Sequence, residues 1–197
     1  TAVLQFGSPT PAADRTTITM LVPVQYQRLM DFADFDSFDL SAFMLKYCTS
    51  APFAADLKRQ VLARMPGGLI EIYSMTEGGV VCLLPCHEFP DKLHTVGRPA
   101  PGSELKVLDD EDREVPPGTA GNLIGRSLTM MSGYKNRPDK TKEAHWIDPA
   151  TGEAWMRMGD IGRVDADGFV ELVGRAKDMI ISGGFNIYPS DLEAELM

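Results

Sequence analysis

A threonine and a glutamate stand side by side directly after an apolar stretch of this 197-residue chain. Residues 69–73 have the β-branched and aromatic character of a strand; Thr76 and Glu77 follow, and two glycines come next. In an open α/β sheet, ligands gather beyond the carboxyl ends of the strands. A hydroxyl there can donate to a phosphate oxygen, and a carboxylate gives Mg²⁺ an oxygen ligand. The pair indicates phosphate and magnesium chemistry, although taken alone it also fits a plain helix start.

Small residues follow another strand, which we predict over residues 43–48. Ser50, Ala51 and Pro52 form a turn that lets a flat ring approach the backbone closely, and Tyr73 could stack on that ring. The same three residues are also ordinary turn chemistry. The turn alone therefore does not identify a binding site.

Charged residues and glycines that could contact a ligand are concentrated near the end of the chain. The Asp160 carboxylate can accept hydrogen bonds from two neighbouring hydroxyls, although an aspartate here also fits a turn cap. Arg175 stays charged and offers a planar fork of donors. Lys177 taken alone fits an exposed surface lysine, and Gly183 and Gly184 fit either a tight turn or a close approach to a ligand.

The order of predicted elements places these residues in an α/β protein. Alternating strands and helices predict a parallel sheet with covering helices, built from residues 17–21, 23–30, 43–48, 54–65 and 69–73. Closely spaced strands separated by Gly, Pro and Asp turns then predict a small antiparallel, barrel-like part, at residues 104–108, 121–127, 161–164 and 169–173. We also expect a strand at residues 1–5, a solvated turn at residues 109–112 and a helix from Pro189.

Composition excludes several classes of protein. The 19 basic and 28 acidic residues give a net charge of −9, which argues against a nucleic-acid or anionic-membrane surface. The sequence contains neither an apolar run long enough to span a membrane nor a signal segment. Three cysteines without framework spacing favour a reduced, cytoplasmic setting. Cys82, Cys86 and His87 fit a buried strand and turn better than a partial metal cluster.

Taken together, these stretches resemble the adenylate-forming enzymes, which include acyl- and aryl-CoA ligases, peptide-synthetase adenylation domains and luciferases. The resemblance rests on Tyr-Ser-Met-Thr-Glu-Gly-Gly at 73–79, Met-Gly-Asp at 158–160, Gly-Arg-Ala-Lys-Asp at 174–178 and Gly-Gly at 183–184. Val-Gly-Arg-Pro at 96–99 and a Gly-Tyr-x-x-x-Pro-x-x-Thr segment at 133–141 extend it. The motifs occur in the family's order and cover almost the whole chain.

The resemblance implies an ATP-dependent carboxylic acid–CoA ligase that forms an acyl-adenylate and then a thioester. Thr76 and Glu77 would be catalytic, with Glu77 holding Mg²⁺. Lys177 would be the hinge of a small C-terminal domain, and Gly183 and Gly184 would line the path of coenzyme A. The implied nucleotide-binding residues are Ser50, Ala51, Pro52, Tyr73, Ser74, Thr76, Asp160, Leu172 and Arg175.

The family's organisation implies three parts of this chain: a partial αβ subdomain at 1–85, a β-rich subdomain at 86–174, and a hinge with the start of the small domain at 175–197. The family's phosphate loop would precede Thr1, and its catalytic lysine would follow Met197. We therefore expect little ligase activity from the chain as given. We also expect self-association through an exposed sheet edge.

Two other functions remain open from the sequence. An adenylation domain that loads a carrier protein would use the same nucleotide-binding residues. A non-catalytic fragment that only binds nucleotide would keep the fold without the reaction. The expected small-molecule partners are ATP, coenzyme A and a carboxylic acid, and aromatic and medium-chain fatty acids both remain open.

Overall fold

The computed structural model describes residues 16–178, 180–182 and 185–187. These residues group into two compact units. Unit 1 contains the described residues up to Ile72 together with Leu84–His94, and unit 2 contains Tyr73–Leu83 together with the described residues from Thr95 onward. The strand expected at residues 1–5, the glycine pair at 183–184 and the helix expected from Pro189 lie outside the described residues.

Unit 1 combines parallel strands with helices. In chain order its elements are β1 (Ile18–Leu21), α1 (Pro23–Met30), β2 (Leu45–Cys48), α2 (Ala55–Arg64) and the first part of β3 (Gly68–Met75). β2 pairs in parallel with β1 and with β3. Parallel strands need a crossover connection, and α1 and α2 lie in the two connections. The predicted parallel sheet with its strand–helix–strand order is confirmed.

Local sequence explains where these helices begin and end. Pro23 occupies the first position of α1, where its fixed φ suits the helix and no N–H is left unpaired. The Gln25 side chain accepts a hydrogen bond from the Val22 N–H at 3.0 Å. After α2, Gly67 has φ +79°, and a Cβ there would lie 2.5 Å from the Met44 carbonyl oxygen. Glycine is therefore required where the chain turns back into β3.

Lys46 is fully buried in unit 1 and hydrogen-bonds to the end of α2. Its Nζ donates to the carbonyl oxygens of Met65, Pro66 and Gly67 at 3.1, 2.6 and 2.8 Å. Burial lowers the pKa of Lys46 to about 8. The three carbonyl oxygens, from the chain directly after α2, accept hydrogen bonds from the ammonium form, which burial opposes.

A second buried lysine forms an ion pair. Lys58 Nζ lies 2.5 Å from Glu71 Oε2, and the two side chains are 2% and 5% exposed. Lys58 Nζ also donates to the Leu93 carbonyl oxygen at 2.6 Å. Burial raises the pKa of Glu71, and the charge of Lys58 opposes that shift.

Unit 2 is built mainly from antiparallel strands. Its elements are the end of β3, β4 (Gly78–Pro85, whose last two residues fall in unit 1), β5 (Arg98–Pro99), β6 (Ser103–Leu108), β7 (Gly121–Ser127), α3 (Pro138–Ala144), β8 (His145–Ile147), β9 (Ala154–Val164) and β10 (Val170–Arg175). β11 (Ile180–Ser182) and β12 (Phe185–Ile187) form a separate antiparallel pair. The antiparallel part predicted after residue 85 is confirmed.

The strands form two larger sheets. One has the order β1-β2-β3-β4-β5, and the other has the order β10-β9-β7-β6 with β8 paired to β9. The second sheet is curled and antiparallel throughout its described pairings. β9 begins seven residues before the strand predicted from residue 161, and α3 and β8 were not predicted as elements.

The core cluster of unit 2 is the larger of two hydrophobic clusters in its described residues. Its buried members come from β4, β6, β7, β9, β10 and the chain before β5: Val80, Cys82, Val96, Val107, Leu123, Met158 and Val170. Tyr73, Met75 and Leu172 are partly buried against it. The end of β3 is therefore held by the same core as β9 and β10. No helix of the described chain is long and apolar enough to cross a bilayer.

We expect Lys58→Met to destabilise the protein by about 3–5 kcal/mol near neutral pH, because Glu71 would keep a buried charge without its cation. The raised pKa of Glu71 means that the folded state holds this proton more tightly than the unfolded state. The contribution of Glu71 to stability therefore falls as the pH rises from the ordinary pKa of glutamate to the raised pKa of Glu71 in the folded state. Loss of the Lys58 charge raises the pKa of folded Glu71 further, so the destabilisation extends over a wider pH range.

The measurement is urea unfolding at about pH 5 and about pH 7.5. Buried glutamates can have pKa values raised into or above this range. The destabilisation by Lys58→Met should shrink at the lower pH. Lys140→Met removes an exposed lysine and should change the free energy of unfolding by less than about 0.5 kcal/mol. A loss of equal size at both pH values would contradict the assignment.

Candidate functional site

The Thr76-Glu77 pair forms the connection between β3 and β4. β3 ends at Met75, β4 begins at Gly78, and the two strands are neighbours in one sheet. The pair thus lies in a two-residue hairpin turn and does not start a helix. Thr76 is exposed and Glu77 is half-buried. Their predicted position directly after a strand is confirmed.

Two glycines after this turn allow another segment to approach it. Gly78 has φ +93°, and a Cβ there would lie 2.5 Å from Met130 Cα and 2.6 Å from the Thr129 carbonyl oxygen. Gly79 has φ +84°, and its Cβ would lie 2.6 Å from Met158 Sδ. At Gly78 the obstacle is backbone, which cannot rotate away as a side chain can. Gly78 therefore permits the close packing of the segment after β7 on the turn, and Gly79 admits the Met158 side chain of β9.

Glu77 is contacted by this segment through both its main chain and its side chain. The Met131 N–H donates to the Glu77 carbonyl oxygen at 2.8 Å. The Tyr134 hydroxyl donates to Glu77 Oε1 at 3.0 Å, and this hydrogen bond raises the pKa of Tyr134. The sequence singled out the Gly-Tyr motif at 133–134 but gave Tyr134 no role. The sequence holds no local signal for this contact, because 57 residues separate Tyr134 from Glu77 and only the tertiary structure brings them together.

Asp160 is bonded to residues from two other strands of unit 2. The Tyr73 hydroxyl donates to Asp160 Oδ2 at 2.7 Å, and Arg175 Nε lies 3.4 Å from Asp160 Oδ1. The Asp160 side chain is 14% exposed and that of Arg175 is 62% exposed. Burial and then the negative charge of Asp160 raise the pKa of Tyr73, so Tyr73 remains a donor. Three of the predicted nucleotide-binding residues are thus in direct contact.

A bulge in β9 brings Asp160 to this position. Asn122 of β7 pairs with Ile161, whereas Ile124 pairs with Arg157, so β9 carries extra residues between the two pairs. Gly159 lies in this bulge with φ +74°. Asp160 pairs with Arg175 across β9 and β10. Bulges often re-aim side chains next to active sites, and here the aspartate is part of a strand and not a turn cap.

Side chains that alternate along β3 place the neighbouring residues of the Tyr-Ser-Met motif on opposite faces of the strand. Tyr73 and Met75 pack against the core cluster of unit 2, whereas Ser74 is exposed. Successive side chains of a strand point to opposite faces, so Ser74 lies on the face opposite to Tyr73. Leu172 of β10 packs against the same core cluster as Tyr73.

Comparison with known proteins identifies the family. Residues 12–135 match the family described as AMP-binding enzyme. The chain belongs to the AMP-binding enzymes. It is 36% identical over 187 residues to a feruloyl-CoA synthase of Amycolatopsis sp, covering 93% of this chain and 36% of that protein. It is 33% identical over 172 residues to a long-chain-fatty-acid–CoA ligase of Salmonella typhimurium, covering 87% and 30%.

A solved structure shares the fold of this AMP-binding chain. The amide bond synthetase McbA from Marinactinospora thermotolerans matches with a TM-score of 0.81 and 29% identity, over 90% of this chain and 35% of that one. The chain spans about a third of the length of each of these three proteins. The adenylate-forming fold and family expected from the sequence are confirmed.

The other residues singled out in the sequence lie elsewhere or are not described. Ser50, Ala51 and Pro52 form an exposed turn between β2 and α2 in unit 1, and Ser50 has φ +76°. Lys177 is exposed in the turn after β10. Gly183 and Gly184 lie outside the described residues. The roles of these residues stay predictions.

Cys48, Cys82 and Cys86 are buried free thiols. Burial raises the pKa of the Cys82 thiol to about 12 and that of Cys86 to about 11. Within the part of the chain that the structure describes, no three His, Cys, Asp or Glu side chains are grouped as metal ligands. Cys82 lies in β4 and Cys86 is buried directly after that strand, where the sequence predicted a buried strand and turn.

We expect Gly78→Ala to destabilise the protein by about 2–4 kcal/mol, since it adds a backbone clash to an unfavourable φ. Gly102→Ala is the matched control, because Gly102 has φ +81° but nothing within 4 Å of its Cβ position. That control should lose only about 1 kcal/mol. Urea unfolding measures both changes. Equal losses would mean that the approach of Met130 does not constrain this turn.

Proposed function

We propose that this chain forms part of the nucleotide and acyl-adenylate site of an AMP-forming acid–thiol ligase. The membership of the AMP-binding enzymes and the names of its CoA-ligase relatives support this assignment. Because the chain spans only part of those relatives, the activity is proposed for the complete polypeptide that carries it. Its nucleotide substrate is ATP, and its thiol acceptor is coenzyme A.

The contact between Tyr73 and Asp160 supports the proposal most strongly. It places the Gly-Asp motif of β9 at the strand that leads into Thr76 and Glu77. Thr76 follows Tyr73 by three residues, roughly 10 Å along an extended strand. That distance is within the length of a single AMP group. The two motifs can therefore contact the ribose and the phosphate of one nucleotide.

Each residue of this group has a chemical task in the proposed site. Asp160 accepts hydrogen bonds from the ribose hydroxyls, since each carboxylate oxygen has more than one lone pair. Thr76 donates its hydroxyl to a phosphate oxygen. The 3.4 Å contact of Arg175 with Asp160 is loose and mostly exposed, so the guanidinium can turn toward the ribose or phosphate. Leu172 provides an apolar wall beside Tyr73.

Glu77 fits a role as a magnesium ligand. It is half-buried, and no described residue donates a hydrogen bond to its Oε2. A carboxylate oxygen is the type of ligand that Mg²⁺ prefers. When bound, the ion would neutralise charge on the phosphates of ATP. The other predicted residues keep their proposed roles: Ser74 would contact the nucleotide, Lys177 would be the hinge residue, and Gly183 and Gly184 would line the path of coenzyme A.

The proposed reaction has two steps. A carboxylate oxygen of the acid attacks the α-phosphorus of ATP, forming the acyl-adenylate and releasing pyrophosphate. The thiolate sulfur then attacks the acyl carbon, the bond to the phosphate oxygen breaks, and AMP leaves. No protein nucleophile takes part, so the site works by positioning and by stabilising charge.

Two acid classes follow from the relatives' names, hydroxycinnamic acids and long-chain fatty acids. The acceptor is less constrained, because the structurally similar McbA is named an amide bond synthetase. A carrier-protein thiol or an amine in place of coenzyme A is therefore an outcome that the experiment must separate.

The test is pyrophosphate exchange by the complete polypeptide with ATP and a panel containing ferulate and palmitate. We expect exchange with at least one acid and AMP release on adding coenzyme A. Asp160→Ala should raise the KM for ATP about 10-fold or more, the scale of lost hydrogen bonds to a charged group. Asp110→Ala removes an exposed acid in another turn and should leave that KM unchanged.

Two results would count against the proposal. One is the absence of acid-dependent exchange with every acid. The other is an Asp160→Ala variant that binds ATP as tightly as the unchanged protein in calorimetry. Acid-dependent exchange without AMP release by coenzyme A, but with release by a carrier protein or an amine, would keep the adenylation step and replace the acceptor.

A further inference from the structure

The segment from Ser127 to Thr141, which we call the tyrosine segment, contacts the hairpin turn that carries Glu77. Its backbone passes so close to Gly78 that any side chain there would collide with Met130. A main-chain hydrogen bond of 2.8 Å joins the Met131 N–H to the Glu77 carbonyl oxygen. The segment is thus attached to the turn before its side chains are considered.

The tyrosine segment ends in a local structure that fixes the backbone of Tyr134. The Tyr134 N–H donates to Thr141 Oγ1 at 2.9 Å, and the Thr141 hydroxyl donates to the Arg137 carbonyl oxygen at 3.1 Å. The Arg137 N–H donates to the Tyr134 carbonyl oxygen at 3.2 Å. Tyr134 is therefore held from both its main-chain groups.

A glycine before Tyr134 completes this arrangement. Gly133 has φ +146°, and a Cβ there would lie 2.9 Å from both Thr141 Cγ2 and Thr141 Oγ1. Each residue type of the Gly-Tyr-x-x-x-Pro-x-x-Thr pattern now has a physical reason. The glycine admits the threonine, Pro138 starts α3, and the threonine holds the tyrosine backbone.

The Tyr134 hydroxyl is hydrogen-bonded to one of the two carboxylate oxygens of Glu77. Tyr134 is 39% exposed, so core packing does not account for its side chain. Its hydroxyl donates to Glu77 Oε1 at 3.0 Å. No described residue donates to Oε2, so the two oxygens of the carboxylate differ. A carboxylate held at one oxygen keeps a defined plane for a ligand at the other.

We propose that Tyr134 is a positioning residue that holds Oε1 of Glu77 and leaves Oε2 for a divalent cation bound with ATP. This inference rests on the proposed function, because it assumes that Glu77 takes part in cation binding. Tyr134 contacts neither nucleotide nor cation in this proposal and acts only through Glu77. Groups that orient a metal ligand commonly change metal affinity by about 10- to 100-fold when they are removed.

The experiment compares Tyr134→Phe with the unchanged complete polypeptide. Binding of Mn²⁺ in the presence of a non-hydrolysable ATP analogue is measured by electron paramagnetic resonance, without turnover. We expect about 10-fold weaker Mn²⁺ binding, the lower end of the range for such groups because Tyr134 is partly exposed. In pyrophosphate exchange, the Mg²⁺ concentration for half-maximal rate should rise similarly, while the rate at saturating Mg²⁺ changes little.

Three further variants guard against misfolding and against a purely structural role. Thr141→Val removes the hydroxyl that holds Tyr134, whereas Thr141→Ser keeps it, so only the valine variant should weaken Mn²⁺ binding. Thr119→Val removes an exposed hydroxyl in another turn and should have no effect. Thermal unfolding verifies that every variant folds.

The outcomes separate this inference from the proposed function. Weaker Mn²⁺ binding by both Glu77→Gln and Tyr134→Phe supports both. Weaker binding by Glu77→Gln with unchanged binding by Tyr134→Phe overturns the positioning role and leaves the proposed function intact. Unchanged binding by both variants overturns the cation role of Glu77, and the inference with it.

Discussion

A hydrogen bond from the Tyr73 hydroxyl to the Asp160 carboxylate joins two stretches that are 87 residues apart in the chain. It connects the end of β3 to the bulge of β9, while Arg175 lies beside the second carboxylate oxygen. The bond is charge-assisted and largely shielded from water, which makes it stronger than an exposed one. It is a direct polar contact between the Gly-Asp motif and the strand that leads to Thr76 and Glu77.

A second, independent set of contacts in the same unit attaches Glu77 to the segment that follows β7. The close approach at Gly78 and the Met131 N–H bond fix the main chain of the turn, and Tyr134 fixes its side chain. Both sets of contacts end at the short stretch between Tyr73 and Gly79. Rigid support of this kind is what a site needs when it works by positioning and not by a protein nucleophile.

Electrostatics explains why local contacts matter in this protein. The chain carries a net charge of −9, so its overall field repels an anionic substrate. Lys46 and Lys58 are buried and bound to internal carbonyl and carboxylate groups in unit 1. A nucleotide would therefore depend on donors placed close to it, such as the Thr76 hydroxyl and the Arg175 guanidinium.

Sequence alone determined the elements with strong periodicity, such as α1, α2 and the strands of the parallel sheet, and it determined the family through motifs in a fixed order. It also located Thr76 and Glu77 after a strand, because that depends on neighbouring residues only. It did not yield the hairpin turn, the early start of β9, or the role of Tyr134. The hairpin turn and the early start of β9 depend on pairing with β4 and β8, and the role of Tyr134 depends on a partner 57 residues away. The contact of Tyr73 with Asp160 spans 87 residues and follows a bulge in β9. Such pairing and contacts form only when the strands are assembled, so only the tertiary structure decides them.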